Sequence, residues 1–278
     1  MSLNGVAFGM LLFLVASGLT ITFGMMRTLN LAHGAFYLLG GYLAVDLRDR
    51  LGNYWLGLLA AVVLVAGLGM LFERTILHRI PDTLPQILVT IGLAFVLGDL
   101  LLIRYGGVPQ LPPPPPGLEG AAHLGSLTFP KFRLALIVIG LAVAASVGVL
   151  LRWTRVGSKI RAAVDDERIA QSVGIRVPLL FMLTFGFGTA LAAFAGALGG
   201  AFGGLEIGND FRVLLLAIVV VVVGGLGSLK GAFVGALAIG LIDQYGKLFF
   251  PEFALFTIYA PVAVFLALRP QGLFGRPE

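Results

Sequence analysis

Apolar residues fall along this chain in long blocks, at about 5–25, 30–46, 54–73, 84–103, 132–151, 179–203, 213–227, 231–247 and 254–268. None alternates with the period of a half-buried strand, and most approach the roughly 20 residues a helix needs to cross a bilayer core. The pattern predicts an all-α, polytopic transmembrane bundle of eight or nine spans. The uncertainty in the count lies in the runs at 213–227 and 231–247, joined by GGLGSLKG, which read as two spans or as one broken, re-entrant element. One interval breaks the apolar rhythm with charge. Residues 152–178, RWTRVGSKIRAAVDDERIAQSVGIRVP, form a polar island between spans. Within it Ile160, Ala163, Val164, Glu167, Ala170 and Gln171 recur at helical spacing, so a short amphipathic helix is expected there. Its outer face presents Asp165, Asp166, Arg168 and Gln171, with Gly174 placed to stop it and Pro178 opening the next span.

Composition agrees with the pattern. Apolar residues make up 58% of the 278 and charged residues 12%, against about 25% charged in soluble domains, which leaves no material for a separate water-soluble unit. One membrane domain over 1–278 is the expectation. Orientation follows from Lys and Arg, which stay on the cytoplasmic side during insertion. The island alone carries Arg152, Arg155, Lys159, Arg161, Arg168 and Arg176, so it is placed inside as a cytoplasmic loop, with the amino end outside and the carboxyl end cytoplasmic. An eight-span count would instead move the amino end inside. The start, MSLNGVAFGM, has no basic residue before Arg27 and reads as the first span rather than a removed signal. The net charge of +5 is accounted for by topology and gives no sign of nucleic-acid binding.

The external loop 105–131 contains Pro109 and Pro112 to Pro116, which favour a stiff, extended connector and leave open a docking surface for an external partner. Small residues sit four apart at Gly5 and Gly9, at Gly196, Gly200 and Gly204, and at Gly227, Gly231 and Gly235. That spacing puts them on one helix face, where backbones can approach closely. An internal echo relates His33-Gly34-Ala35-Phe36 to Lys230-Gly231-Ala232-Phe233, 197 residues later, and the same offset carries Asp46 onto Asp243. Two helix pairs built from one unit, or a chance match in a glycine-rich background, both account for it.

Several chemistries are excluded or poorly supported. No GxxxxGK[ST] loop occurs, since GGLGSLKG lacks the Lys-Ser/Thr pair that would hold a β-phosphate and magnesium. No cysteine is present, and His33, His78 and His123 lie apart, so no metal site is expected. Carboxylates within apolar runs are costly and therefore functional candidates. Asp99 and Asp243 stand out, each with a cation in reach: Arg104 five residues on, and Lys247 at i+4. A role in the permeation path or in ion coupling remains open beside simple pairing.

Four segments together resemble the branched-chain amino-acid permease family of ABC importers, the LivH-like permeases. They are Arg161 to Ile175 (RAAVDDERIAQSVGI), Leu29 to Phe36 (LNLAHGAF), Val223 to Ala232 (VGGLGSLKGA), and the tail Leu268 to Gly275 (LRPQGLFG). They follow the family's order through almost the whole chain. Val164-Asp165-Asp166-Glu167 is more acidic than the family pattern, and the proline-rich loop is longer. The resemblance implies a transport subunit without an ATPase site. It would work with a second permease, two cytoplasmic ATPase subunits that bind ATP and Mg, and an external solute-binding protein, in the bacterial inner membrane. It implies a coupling surface at Ala163, Asp165, Asp166, Glu167, Arg168 and Gly174. Asn30, His33, Phe36, Asp99 and Asp243 are the candidates for the translocation path, and Gly224, Gly225 and Gly227 for a hinge or close packing. No cofactor or metal is expected on this chain. The substrate stays open among branched-chain amino acids, urea, short amides and aromatic acids.

Overall fold

In the computed structural model, which describes residues 1–124 and 127–275, every apolar run becomes a helix. They are α1 (Ser2–Met26), α2 (His33–Leu51), α3 (Tyr54–Thr75), α4 (Thr83–Tyr105), α5 (Lys131–Trp153), α8 (Val177–Gly203), α9 (Asn209–Gly224), α10 (Leu229–Phe249) and α11 (Ala254–Leu268). The charged island forms α6 (Arg155–Asp165) and α7 (Glu167–Ser172). Polar side chains set several starts by accepting free amide N–H groups of the first turn. Asn53 Oδ1 caps α3 through Trp55 and Leu56, Ser228 caps α10 through Gly231, and Thr154 caps α6 through Gly157.

Among the described residues six helices are long and apolar enough to cross a membrane: α1, α3 with the 3₁₀ turn that follows it, α4, α5, α8 and α10. The sequence expectation was eight or nine, and the difference falls on α2, α9 and α11. At 1.5 Å per residue, the 16 residues of α9 reach about 24 Å and the 15 of α11 about 22 Å, below the roughly 30 Å of a hydrocarbon core. Helix α2 is longer but ends in Asp46, Arg48, Asp49 and Arg50.

The centre of the bundle is α1, which packs against α10, α8, α5 and α9. Its apolar stretch is 83% buried, against 17% for α4 and for α5, so those two form the periphery. Small residues make the central contacts possible. On α1, a Cβ at Gly9 would lie 2.9 Å from the Ala236 carbonyl of α10, and one at Gly5 would meet Gly240 and Leu241. Gly196 of α8 lies against the Tyr37 carbonyl of α2, and Gly224 of α9 against Gly231 of α10. The seams foreseen from glycine spacing are thus contacts within the chain.

The 105–131 loop does more than span a gap. Gln110 and Leu205 exchange backbone hydrogen bonds of 2.9 and 2.7 Å, which pins the loop to the α8–α9 connection. A short antiparallel hairpin, β1 (Ala121–Leu124) and β2 (Leu127–Pro130), follows the proline run. That hairpin was not foreseen; its turn, and the side chain of His123, lie outside the described residues. The internal echo extends to the elements. Shifting α2 by 197 residues lands within one residue of both ends of α10. The ion pairs Asp46–Arg50 (3.2 Å) and Asp243–Lys247 (2.7 Å) then coincide as well.

Candidate functional site

Helix α2 begins inside the bundle. His33, its first residue, is fully buried, and its Nε2 lies 2.9 Å from the carbonyl oxygen of Val15, near the middle of α1. A carbonyl can only accept, so Nε2 carries the proton, and Nδ1 has no partner among the described residues. Asn30, 3% exposed, accepts from Ala32 N at 3.0 Å just before the helix, while its Nδ2 has no partner among the described residues. Thr90 of α4 accepts the Leu31 amide at 3.2 Å. The first turn of α9 arrives at the same place, because Gly34 has no side chain to keep the Asp210 carbonyl away. Two helix N-termini therefore meet at a polar cluster deep in the fold, with the buried Asp210 carboxylate in the first turn of α9.

The other path candidates separate. Phe36 is packed in the core: it is 1% exposed, and its ring stands edge-on to Phe185 at 6.3 Å. Asp99 is exposed on α4 with no ion-pair partner among the described residues; Arg104 turns to Asp46 instead, at 3.6 Å. Asp243 is buried, holds Lys247 at 2.7 Å, and lines a cavity of about 260 Å³ between α1, α8, α9, α10 and α11. Sequence reasoning missed three contributors. Arg212 and Tyr37 line the same cavity, and Glu73 is a 1%-exposed carboxylate on α3 with Oε2 unpaired among the described residues. Glu73 ends the apolar run at 54–73 and Arg212 comes just before the run at 213–227, where a charge reads as a boundary. No cluster of metal-ligating side chains occurs among the described residues.

At one end of the bundle α6 and α7 pack on α1 and α8. Ala163 and Ala170 are buried against Met25, Val177 and Leu180. Ala163 was expected on the partner-facing surface; it faces inward, because it shares the inner stripe of α6 with Ile160 and Val164. The single helix expected here is broken at Asp166, which leaves helical geometry (φ −153°, ψ 110°) and caps α7 by accepting from Ile169 N at 2.9 Å. Its carboxylate is thus engaged locally. Asp165, Glu167 and Arg168 remain on the outside, and Gly174 stops the segment at φ 87°. Between the charges two apolar side chains stand out: Ile169 and Val173, 63% and 71% exposed and four residues apart. The same end holds a second cavity, of about 1000 Å³, lined by Arg27, Arg152, Arg161 and the α9–α10 turn.

In that turn Gly224 allows the α10 backbone to approach, while Gly225 and Gly227 take φ of 100° and 77°. The tail folds back on it: Leu273 N and Phe274 N donate to the carbonyls of Val223 and Gly224, the last of α9, at 2.8 and 3.0 Å.

Residues 1–268 match the sequence profile of a family described as branched-chain amino acid transport system / permease component. The chain belongs to that family. Among its relatives, the high-affinity branched-chain amino acid transport permease LivH of Salmonella typhimurium is 27% identical, over 99% of this chain and 94% of the relative. The permease BraD of Pseudomonas aeruginosa is 26% identical, over 99% and 95%. LivM of Escherichia coli, 28% identical, covers 97% of this chain, which spans 69% of it. A solved structure of PsaBC from Streptococcus pneumoniae in complex with Fab has the same fold, with a TM-score of 0.51 at 14% identity, covering 95% of this chain and 89% of that one. This permease is therefore a multi-pass membrane protein, and the tail and the α9–α10 turn that marked it in sequence are in direct contact.

Proposed function

We propose that the chain is a transmembrane permease subunit of a binding-protein-dependent ABC importer that moves branched-chain amino acids or related small polar solutes across the bacterial inner membrane. Its partners are a second permease subunit, an external solute-binding protein and two cytoplasmic ATPase subunits carrying ATP and Mg. With α2, α9 and α11 counted as crossings, the bundle has nine, the amino end outside and the tail cytoplasmic. Basic residues at the α6–α7 end, including Arg27, Arg152 and Arg161 around one cavity, support that orientation.

Ile169 on α7 and Val173 at its C-cap, both exposed, carry the reading. Two large apolar side chains exposed among charges, on a segment held away from the bundle core, are what a partner's groove would cover. Behind them Ala163 and Ala170 rest on Met25 of α1 and on Val177 and Leu180 of α8. Closure of an ATPase pair gripping this knob would displace α6 and α7 as a unit, and α1 and α8 would follow because close-packed interfaces shift rather than deform. Those two helices wall both the polar cluster and the 260 Å³ cavity, so the stroke reaches the path. Gly225 and Gly227 would serve as the hinge between α9 and α10.

The test is co-purification of the tagged chain with its ATPase subunits. Burying Ile169 and Val173 is worth about 1.5–3 kcal/mol each, so Ile169→Asp/Val173→Asp is expected to weaken capture by at least about 100-fold. Insertion and thermal stability should hold, because both side chains are exposed in the free chain. Undiminished capture by the double variant would sink the assignment of α7 as the gripped element.

A further inference from the structure

We infer that the 260 Å³ cavity is a transit site for an α-amino acid, in which Asp243 takes the ammonium group and Arg212 the carboxylate. The inference rests on the transport reading and adds the residues that would hold the solute. Its origin is the glycine seam between α9 and α10. The two helices touch at Gly224–Gly231 and at Val220–Gly235, and the cavity opens between them beyond that seam. There Arg212, Val213 and Leu216 of α9 face Asp243 and Lys247 of α10, with Phe8 and Leu12 of α1 along the wall. The volume lies just under the roughly 300–1,000 Å³ of small-molecule sites, which suits a single small solute.

The cavity holds a carboxylate and a free guanidinium, the two signs that a zwitterion needs, with Lys247 as a second cation on the carboxylate. Arg212 is exposed and makes no ion pair among the described residues, so its planar fork is free to bind a carboxylate through two parallel hydrogen bonds. Asp243 has a side chain only 4% exposed, and its Oδ2 accepts from Gln244 Nε2 at 3.2 Å and from the ammonium of Lys247, itself 46% exposed, at 2.7 Å. A substrate ammonium replaces one cation by another of the same chemistry on the same oxygen, so no buried carboxylate is left unpaired during the exchange. Lys247 has somewhere to go. Its Nζ already lies 5.6 Å from the centre of the Phe8 ring, a cation–π contact that remains when Asp243 is taken. The apolar wall, Leu12 and Leu216 among it, would receive an aliphatic side chain and give no hydrogen bond to a polar one.

The chain has no cysteine, so one placed in the wall reports on the cavity alone. With Val213→Cys in the full-length protein in membranes, the rate of modification by a small methanethiosulfonate is measured with and without L-leucine. Saturating leucine is expected to slow it about tenfold. 3-Methylbutylamine and 4-methylpentanoate, each lacking one of the two charges, should protect about tenfold more weakly by concentration. Arg212→Gln, a change at an exposed head group, and Asp243→Asn should each shift leucine protection to about tenfold higher concentration. Glu119→Cys, on the exposed loop, should react at the same rate throughout. Equal modification of Val213→Cys with and without leucine, or protection unchanged in both charge variants, would overturn the site. ATPase capture is read on the same membranes. Lost protection with capture retained overturns the site alone, whereas protection retained with capture lost leaves the site standing and removes the importer reading.

Discussion

Gly196 and Gly67 are both helical glycines in apolar surroundings, yet they should respond to the same change in opposite ways. A Cβ on Gly196 would collide with the Tyr37 carbonyl, a backbone atom that cannot swing aside, whereas one on Gly67 meets nothing within 4 Å. Gly196→Ala is therefore expected to destabilise the α2–α8 contact by about 1–3 kcal/mol. Gly67→Ala should be neutral or stabilising by up to about 1 kcal/mol, since alanine restricts the unfolded chain. Thermal unfolding of the two variants in detergent checks the pair, and equal melting temperatures would show that the seam is not tight. At this scale the sequence revealed residue types better than their surroundings. The i, i+4 partnership of Asp243 and Lys247 was legible because helical spacing determines it. The burial of Glu73 and the inward turn of Ala163 were not, because each depends on which face a neighbouring helix covers.

Asp166 shows how a residue can be conspicuous for one reason and act for another. In the sequence it is part of an acidic patch on a helix surface; in the fold it ends α6 and starts α7, its Oδ1 accepting from Ile169 N. Asp166→Ala should cost about 1 kcal/mol of local stability, and Asp166→Asn should cost little, because asparagine caps as well as aspartate. Hydrogen exchange over Glu167–Ser172 is the direct measure, with faster exchange expected in the alanine variant alone. If the asparagine variant exchanges equally fast, the charge and not the cap holds α7. Helices were legible as apolar runs because lipid-length hydrophobic blocks admit little else. The break at Asp166 was hidden, since DDER reads as ordinary helix surface, and the β1–β2 hairpin carries too few residues for a periodic signal. The number of crossings is not decided by apolar runs alone, for a similar reason: a run of apolar residues counts alike whether its helix is 25 residues long, as in α1, or 16, as in α9.

The molecule as a whole is organised around one end. Arg27, the α6–α7 pair, the α9–α10 turn and the Leu273–Phe274 tail all gather there, although they lie far apart in sequence. Helix α10 departs from that end, whereas α2, which matches it down to the repeated ion pair, starts deeper, with His33 beside Val15. The gathered end is rich in Arg and Lys, and the opposite end carries the proline-rich loop pinned to Leu205. Retention of basic residues on the cytoplasmic side is the ground for proposing that the gathered end is the inner one. A cysteine-free chain allows this to be measured without disturbing the fold. Ser158→Cys on α6 and Glu119→Cys on the loop are both at exposed positions. A membrane-impermeant maleimide should modify Glu119→Cys in intact spheroplasts and reach Ser158→Cys only after permeabilisation. The reverse pattern would put Ile169 and Val173 outside the cell, where no ATPase could grip them. Modification of both in intact spheroplasts would require an even number of crossings between the loop and the island, against the single helix, α5, that joins them.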